Sequence, residues 1–384
     1  MHKPLKIAYL SSETPINKRV WSGTHYNIYK SLQSLGSVEI MGPPEPFWPV
    51  FFGKIRHKLS LWFTGKRYNY RHSPALSRAY AAYFSKTLQS LQPHIIVAPA
   101  ASCEMASLKT NIPIIYITDG TFHSCLNYHK SLTNLGQKSL QEGECIEQMA
   151  IDKSAAVIVS SPWAAESVKK HYQKPANQVY TLPFGANFDL LPEENDLHFK
   201  PFKTFNLLFV GVYWESKGGP IAYSAFKHLF HKGYDVSLTV VGCEPDLPEE
   251  NLPIRIIKFI DKNSTEGQKH LSDIYRQHHL LLLPTRFDCT PIVINEASAF
   301  GLPSLVSNSG GVEGHLKNHV NGELIDYSDT GELFAKTIEN YLLHPDVYHN
   351  LRKSSRDLYL RTLNWDHWTR EFAKVLKPLS NGKP

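Results

Sequence analysis

The chain has 384 residues, 42% of them hydrophobic and 20% charged, with a formal net charge of +6. That length exceeds one typical domain and suits two, each able to bury its own core. The composition is that of a globular protein rather than a low-complexity or disordered one.

The first apolar patch, in MHKPLKIAYLSSE, spans about five residues and runs into Glu13. It is too short for a signal-peptide core and reads as a first buried strand. Purely aliphatic runs such as residues 280–283 are far below the roughly 20 residues of a membrane-spanning helix. A cytoplasmic location is therefore expected. Short β-rich runs alternate with amphipathic stretches, the mark of an α/β architecture with parallel sheets. Strands are expected at 6–10, 37–40, 94–98, 112–118, 156–160 and 178–182, with helices at 24–35 and 77–91 between them. A second series follows, with strands at 206–210, 236–241, 254–259, 280–283, 303–306 and 322–324. Its helices are expected at 220–231, 268–277, 291–300 and 330–344, and an amphipathic helix at about 366–376 closes the chain. Residues 191–203, which hold PEEND and lack periodicity, form the natural linker. The predicted domains are thus 1–190 and 204–365, with 366–384 as a C-terminal helix able to pack on either.

Charge is unevenly spread. No acidic residue lies between Glu45 and Glu104, whereas Lys54, Arg56, Lys58, Lys66, Arg67, Arg71, Arg78 and Lys86 fall inside. Aromatics interleave the first part, FWPVFFGKIRHKLSLWFTGKRYNYRH. Residues 47–72 are either a solvated helical face with a loop, or a patch that meets an anionic membrane surface or lipid-phosphate acceptor. Nucleic acid is the less favoured partner, since no nucleic-acid module accompanies the charge. The five cysteines and nineteen histidines show no metal-ligand spacing, so no metal site is expected.

The strongest chemical signal is TRFDCTPIVINEASAFGLPSLVSNSGG, residues 285–311. It follows an apolar strand, so it occupies the carboxyl end of a parallel strand, where open α/β sheets bind ligands. Thr290 is the expected N-cap and Pro291 the first helical residue. The amides of Ile292 and Val293 would then face outward as a diphosphate site. Glu296 lies about 7.5 Å further along the helix axis at ~1.5 Å per residue, within range of a ribose whose phosphates sit at the helix start. Asp288, just before the helix, can accept hydrogen bonds from sugar hydroxyls, and the backbone at Gly310 and Gly311 can approach a ligand closely. A second segment, FVGVYWESKGGP at 209–220, joins a strand through Gly211 to Lys217, two glycines and another helix start. It lacks the order of a Walker loop but places a cation beside a helix N-terminus.

Together these segments resemble the retaining glycosyltransferases of the glycogen-synthase-like group, glycosyl-transferase family 4. KIAYLSSE, SGTHYNIYKSLQSLG, AAVIVSSPWAAESVKKHY, VYTLPFGANFD and GGVEGHLKNHVNGELID extend the resemblance over nearly the whole chain. It implies the GT-B architecture, two Rossmann-like domains whose parallel sheets face across a cleft. It also implies a metal-independent transfer, without cofactor, of a hexose-type sugar from UDP- or GDP-sugar to a glycan, lipid-linked or small-molecule hydroxyl. In that group an E-x7-E pair holds ribose with its second Glu and the transferred sugar with its first. Here the spacing falls on Asp288 and Glu296, so the first carboxylate is shorter. The group's phosphate-binding Lys matches Lys217, but Val212 stands where its Arg is expected. That exchange removes a charge-assisted contact worth about 1.5–3 kcal/mol, for which Arg286 is a conceivable substitute. Asp119 or His123, in YITDGTFHSC, occupies the neighbourhood that faces the sugar. Gly23 permits close approach to the donor phosphates, and Ile260 opens a loop placed for base contact. The competing functions are a catalytically silent nucleotide-sugar-binding protein and an epimerase or phosphorylase of the same architecture.

Overall fold

The computed structural model describes residues 5–44, 46–193, 197, 203–249 and 251–381. Most of the expected linker 191–203 lies outside the described residues. The chain divides into two compact units. One comprises the described residues up to Leu182 together with those from Thr369 onward, and the other is Pro183–Trp368. The closing helix, Trp365–Asn381, therefore contributes residues to both.

The first unit holds β1 (Lys6–Leu10), β2 (Ser37–Met41), β3 (Ile95–Pro99), β4 (Ile114–Thr118), β5 (Ala156–Val159) and β6 (Val179–Thr181). They form one parallel sheet in the order β2-β1-β3-β4-β5-β6. The second unit holds β7 (Phe205–Val210), β8 (Val236–Val241), β9 (Ile254–Ile257), β10 (Leu280–Leu283), β11 (Ser304–Ser307) and β12 (Gly322–Ile325). Its parallel order is β12-β11-β10-β7-β8-β9. Central strands such as IIVAP, IIYIT and LLLL are buried at every position, which is why they read as unbroken apolar runs: helices cover both sheet faces. Edge strands β2, β6 and β9 keep exposed positions.

Boundaries differ from expectation for local reasons. β4 starts at Ile114 rather than 112 because Pro113, which has no N–H to give the ladder, only accepts from Ile96 (3.0 Å). The helix expected from 77 starts at Pro74, capped by Ser73 Oγ, which accepts from the Leu76 amide (3.3 Å). Helices Gln137–Lys153 and Pro345–Arg361 were not expected. The latter opens on Pro345 as its first residue, a position proline suits.

Two lysines finish helices in the first unit. Lys153 Nζ donates to the carbonyls of Met105 (3.0 Å), Ala106 (2.5 Å) and Leu108, at and just beyond the end of a short helix at Ser102–Ala106. Lys174 Nζ does the same for Ile151 (2.9 Å), Asp152 (3.4 Å) and Ser154 (2.5 Å) at the end of Gln137–Lys153. Each ammonium adds donors where carbonyls converge at a helix C-terminal end.

The aromatic, basic stretch forms the helix Phe47–Thr64. With 3.6 residues per turn, Val50, Gly53, His57 and Ser60 share one face. That face is inward: Gly53 lies so close to Tyr70 that a Cβ would stand 2.5 Å from the tyrosine Cβ, and His57 Nδ1 meets the Tyr68 carbonyl at 2.8 Å. The opposite face carries Trp48, Phe51, Phe52, Ile55, Leu59 and Trp62, all exposed, Trp62 by 79%. Arg56 turns inward over the Tyr68 ring, and Arg67 donates to the Lys130 carbonyl (2.6 Å). Lys54, Lys58 and Lys66 remain exposed. No helix among the described residues is long and apolar enough to cross a membrane.

Candidate functional site

In the second unit the chain runs outward from β7 through β8 to β9, then returns to build β10, β11 and β12 on the other side of β7. The reversal leaves a crevice at the carboxyl ends of β7 and β10, the topological switch point where doubly wound sheets hold ligands. Both sequence-selected segments end there. The loop after β7 and the loop after β10 are tied by the Ser216 carbonyl, which accepts from the amides of Arg286 (2.9 Å) and Phe287 (3.2 Å). A third loop joins them, with the Gly311 amide donating to the Asp288 carbonyl (3.0 Å) and Ser309 Oγ to the Thr285 carbonyl (3.3 Å).

Lys217 and Asp288 meet within this clamp. Lys217 Nζ lies 2.5 Å from Asp288 Oδ2 and 3.2 Å from the Phe287 carbonyl. Their side chains are 22% and 9% exposed. Gly211 makes room for the lysine stem, since a Cβ there would stand 3.0 Å from Lys217 Cγ. Gly218, at φ +75°, presses against Pro284, and Gly219 against the Trp214 ring. The nearest neighbours of these two glycines are thus the adjoining loop and an indole.

Glu296 is fully buried on the helix Ile292–Ala299. Oε1 receives Lys262 Nζ at 2.8 Å and Oε2 the Tyr275 hydroxyl at 3.0 Å. Burial and the carboxylate hold the Tyr275 phenol well above its ordinary pKa. Lys262 keeps 23% of its side chain exposed, so the pair reaches solvent through the cation. Neither Lys262 nor Tyr275 stood out in the sequence, although Lys262 lies in the IDKNST loop that opens with Ile260, itself half-buried.

The helix start differs from expectation. Pro291, not Thr290, is the N-cap residue, no side chain caps the helix, and Ile292 is its first residue. The Ile292 amide donates to the Thr290 carbonyl (2.9 Å), so it is engaged rather than presented outward; Val293 is half-buried. Arg286, the conceivable substitute for the missing arginine, already has partners. Its guanidinium donates to the carbonyls of Tyr327 and Asp329 (2.9 Å for the latter) and lies over the Tyr327 ring. Val212 is exposed. Gly310, at φ +52°, takes a left-handed turn that glycine adopts without strain.

In the first unit, Gly23 at φ +95° precedes the helix Thr24–Gln33. Asp119 Oδ2 accepts from Trp21 Nε1 (2.8 Å). His123 instead faces Glu144 and stacks on His171. Asp119 and His123 are therefore engaged by different partners.

Residues 193–358 match the family model of glycosyl transferases group 1. The D-inositol 3-phosphate glycosyltransferase of Corynebacterium diphtheriae is 21% identical over 252 residues, covering 60% of this chain and 57% of the relative. The chain thus spans less than two thirds of the length of that curated relative. Among solved structures, sucrose-phosphate synthase from Thermosynechococcus elongatus aligns with a TM-score of 0.71 and 16% identity over 99% of this chain and 100% of its own. The Anabaena protein Alr3699/HepE, in complex with UDP and glucose, aligns with a TM-score of 0.65 and 16% identity, covering 97% of this chain and 100% of its own. The fold is the GT-B pair of Rossmann-like domains. Within the matched segment, Lys217, Asp288, Glu296, Gly310 and Gly311 all lie on the loops or the helix that follow β7, β10 and β11.

Proposed function

We propose that the chain moves a hexose-type sugar from a nucleoside diphosphate sugar to an acceptor hydroxyl, with retention at the anomeric carbon and without a divalent metal. The observation that carries this reading is the Lys217–Asp288 pair in the clamped crevice, beside the helix that bears the buried Glu296. As the glycosidic bond breaks, positive charge develops on the sugar and negative charge on the departing diphosphate. Lys217 is the cation placed to stabilise the latter, aided by backbone around Val293 and Gly310. Fixed charges and dipoles of this kind act without reorganising at the moment of reaction. Asp288 orients the sugar once Lys217 has turned to the phosphates. Glu296 holds the ribose, exchanging its contact with Lys262 for the hydroxyls. UDP and glucose bound to HepE support this donor class. The group 1 match and the glycosyltransferase relatives favour it over an epimerase or phosphorylase. Full-length protein should bind UDP or GDP without magnesium, and Glu296→Ala should abolish that binding in calorimetry. Failure to bind any nucleoside diphosphate would overturn the reading. Product mass after incubation with UDP- and GDP-sugars separates transfer from silent binding.

The acceptor, in our reading, is presented at an anionic membrane surface in contact with the helix Phe47–Thr64. Its outward aromatic stripe and exposed Lys54, Lys58 and Lys66 have the composition of an interfacial helix. Each lysine near such a surface contributes about 1 kcal/mol. Vesicles containing phosphatidylglycerol should carry the protein down on sedimentation, less so as salt rises. Trp48→Ser with Trp62→Ser should release it. No co-sedimentation at low salt would rule the contact out.

A further inference from the structure

The cluster His123, Glu144 and His171 lies in the first unit and shares no residue with the Lys217, Asp288 and Glu296 clamp. Its three side chains come from three places: the short helix Phe122–Cys125 after β4, the helix Gln137–Lys153, and the turn Ser167–His171 after β5. That turn is of the wide π type, a local irregularity that recurs at functional positions. His123 Nδ1 stands 3.3 Å from Glu144 Oε1, and His171 Nε2 stands 3.2 Å from Glu144 Oε2. The donor atoms of all three residues fall within 4.8 Å of one another.

We propose that these residues form a binding site for a borderline divalent cation of the zinc type, with two imidazole nitrogens, one carboxylate and a fourth position open to water. Three observations favour this over an ordinary surface ion pair. First, the nitrogen–oxygen separations exceed the ~2.7–2.9 Å of a charge-assisted hydrogen bond. The 3.3 Å separation equals the ligand–ligand edge of about 3.3–3.4 Å that metal bonds of ~2.0–2.1 Å give in a tetrahedron, and the 3.2 Å one lies just below it. Second, the two imidazoles stack with centroids 3.5 Å apart and planes 14° apart. Two side chains able to supply imidazole ligands thus lie side by side against one carboxylate. Third, the carboxylate is held from behind. The Tyr172 hydroxyl donates to Glu144 Oε2 (2.8 Å) and accepts from the His123 backbone amide (3.1 Å). One phenol thereby fixes two of the ligand-bearing segments, as outer-shell partners do at metal sites. Mixed nitrogen and oxygen donors suit zinc and its neighbours better than calcium or magnesium. The rings are parallel, so their lone pairs run side by side; coordination splays them, which partly exposed side chains can accommodate. An ion there would join the loops after β4 and β5 to the intervening helix.

The test uses the full-length chain stripped with a chelator and titrated with Zn²⁺ in a calorimeter. The expected result is one ion bound per chain. The His123→Ala/His171→Ala variant, both changes being on the surface, should lose more affinity than the roughly tenfold to hundredfold that follows removal of an outer-shell partner. Co²⁺ should give the visible bands of a tetrahedral or five-coordinate nitrogen–oxygen site. Those bands should persist in Cys125→Ser/Cys145→Ser, which removes the nearby thiols, and disappear in the histidine variant. Equal uptake and affinity in wild type and the histidine variant, or a thiolate-to-metal charge-transfer band, would overturn the proposal.

Discussion

Lys217→Met is expected to slow sugar transfer by about 10²–10³-fold, the usual consequence of deleting one preorganised charge from a transition-state site. It should also destabilise the second unit, because Asp288 would be left as a nearly buried carboxylate without its cation. Breaking a fully buried pair costs about 3–5 kcal/mol; the cost here is smaller, since Lys217 retains some exposure. The two effects can be separated. Lys217→Met/Asp288→Asn replaces both charges with neutral side chains of similar shape, so denaturant melts should recover most of the lost stability. Transfer, followed by product mass under saturating donor, should stay low. If the double variant regained activity along with stability, Lys217 would be a packing element and not the charge that meets the diphosphate.

The second large effect is Gly218→Ala. The residue sits at φ +75°, and a Cβ would fall 1.8 Å from the Pro284 carbonyl oxygen and 3.0 Å from Pro284 Cβ. A left-handed backbone alone costs a non-glycine residue roughly 1–2 kcal/mol. Here the loops after β7 and β10 must also part, which raises the loss to about 3 kcal/mol or more and should remove nucleotide binding. Gly233→Ala is the control. Gly233 has φ +88° but nothing within 4 Å of its Cβ position, so only the conformational cost of about 1 kcal/mol applies. Equal denaturation midpoints for the two variants would mean that the loop clamp contributes nothing.

The sheets were legible because both faces of their central strands are covered, which turns β3, β4 and β10 into unbroken apolar runs. Ends were less so, since they depend on single backbone partners, as at Pro113. Within the site, residue types at strand ends were legible, and their partners were not. Lys217 meets Asp288 across 71 residues and Lys262 meets Glu296 across 34, and periodicity along one element carries no information about such pairs. They follow from the order in which strands pack. The same holds for His123, whose companions Glu144 and His171 come from two other segments; no spacing rule for metal ligands covers 21 and 27 residues between donors brought together by a sheet.

Lys153 and Lys174 carry a different lesson. In a charge count each is one of 41 basic residues, interchangeable with arginine and assigned to the surface. In the fold each is a plug whose three hydrogens meet three converging carbonyls. A compact ammonium can satisfy that tripod, whereas the flat, forked guanidinium directs its donors in one plane. What these positions select for is therefore the shape of the cation and not its sign.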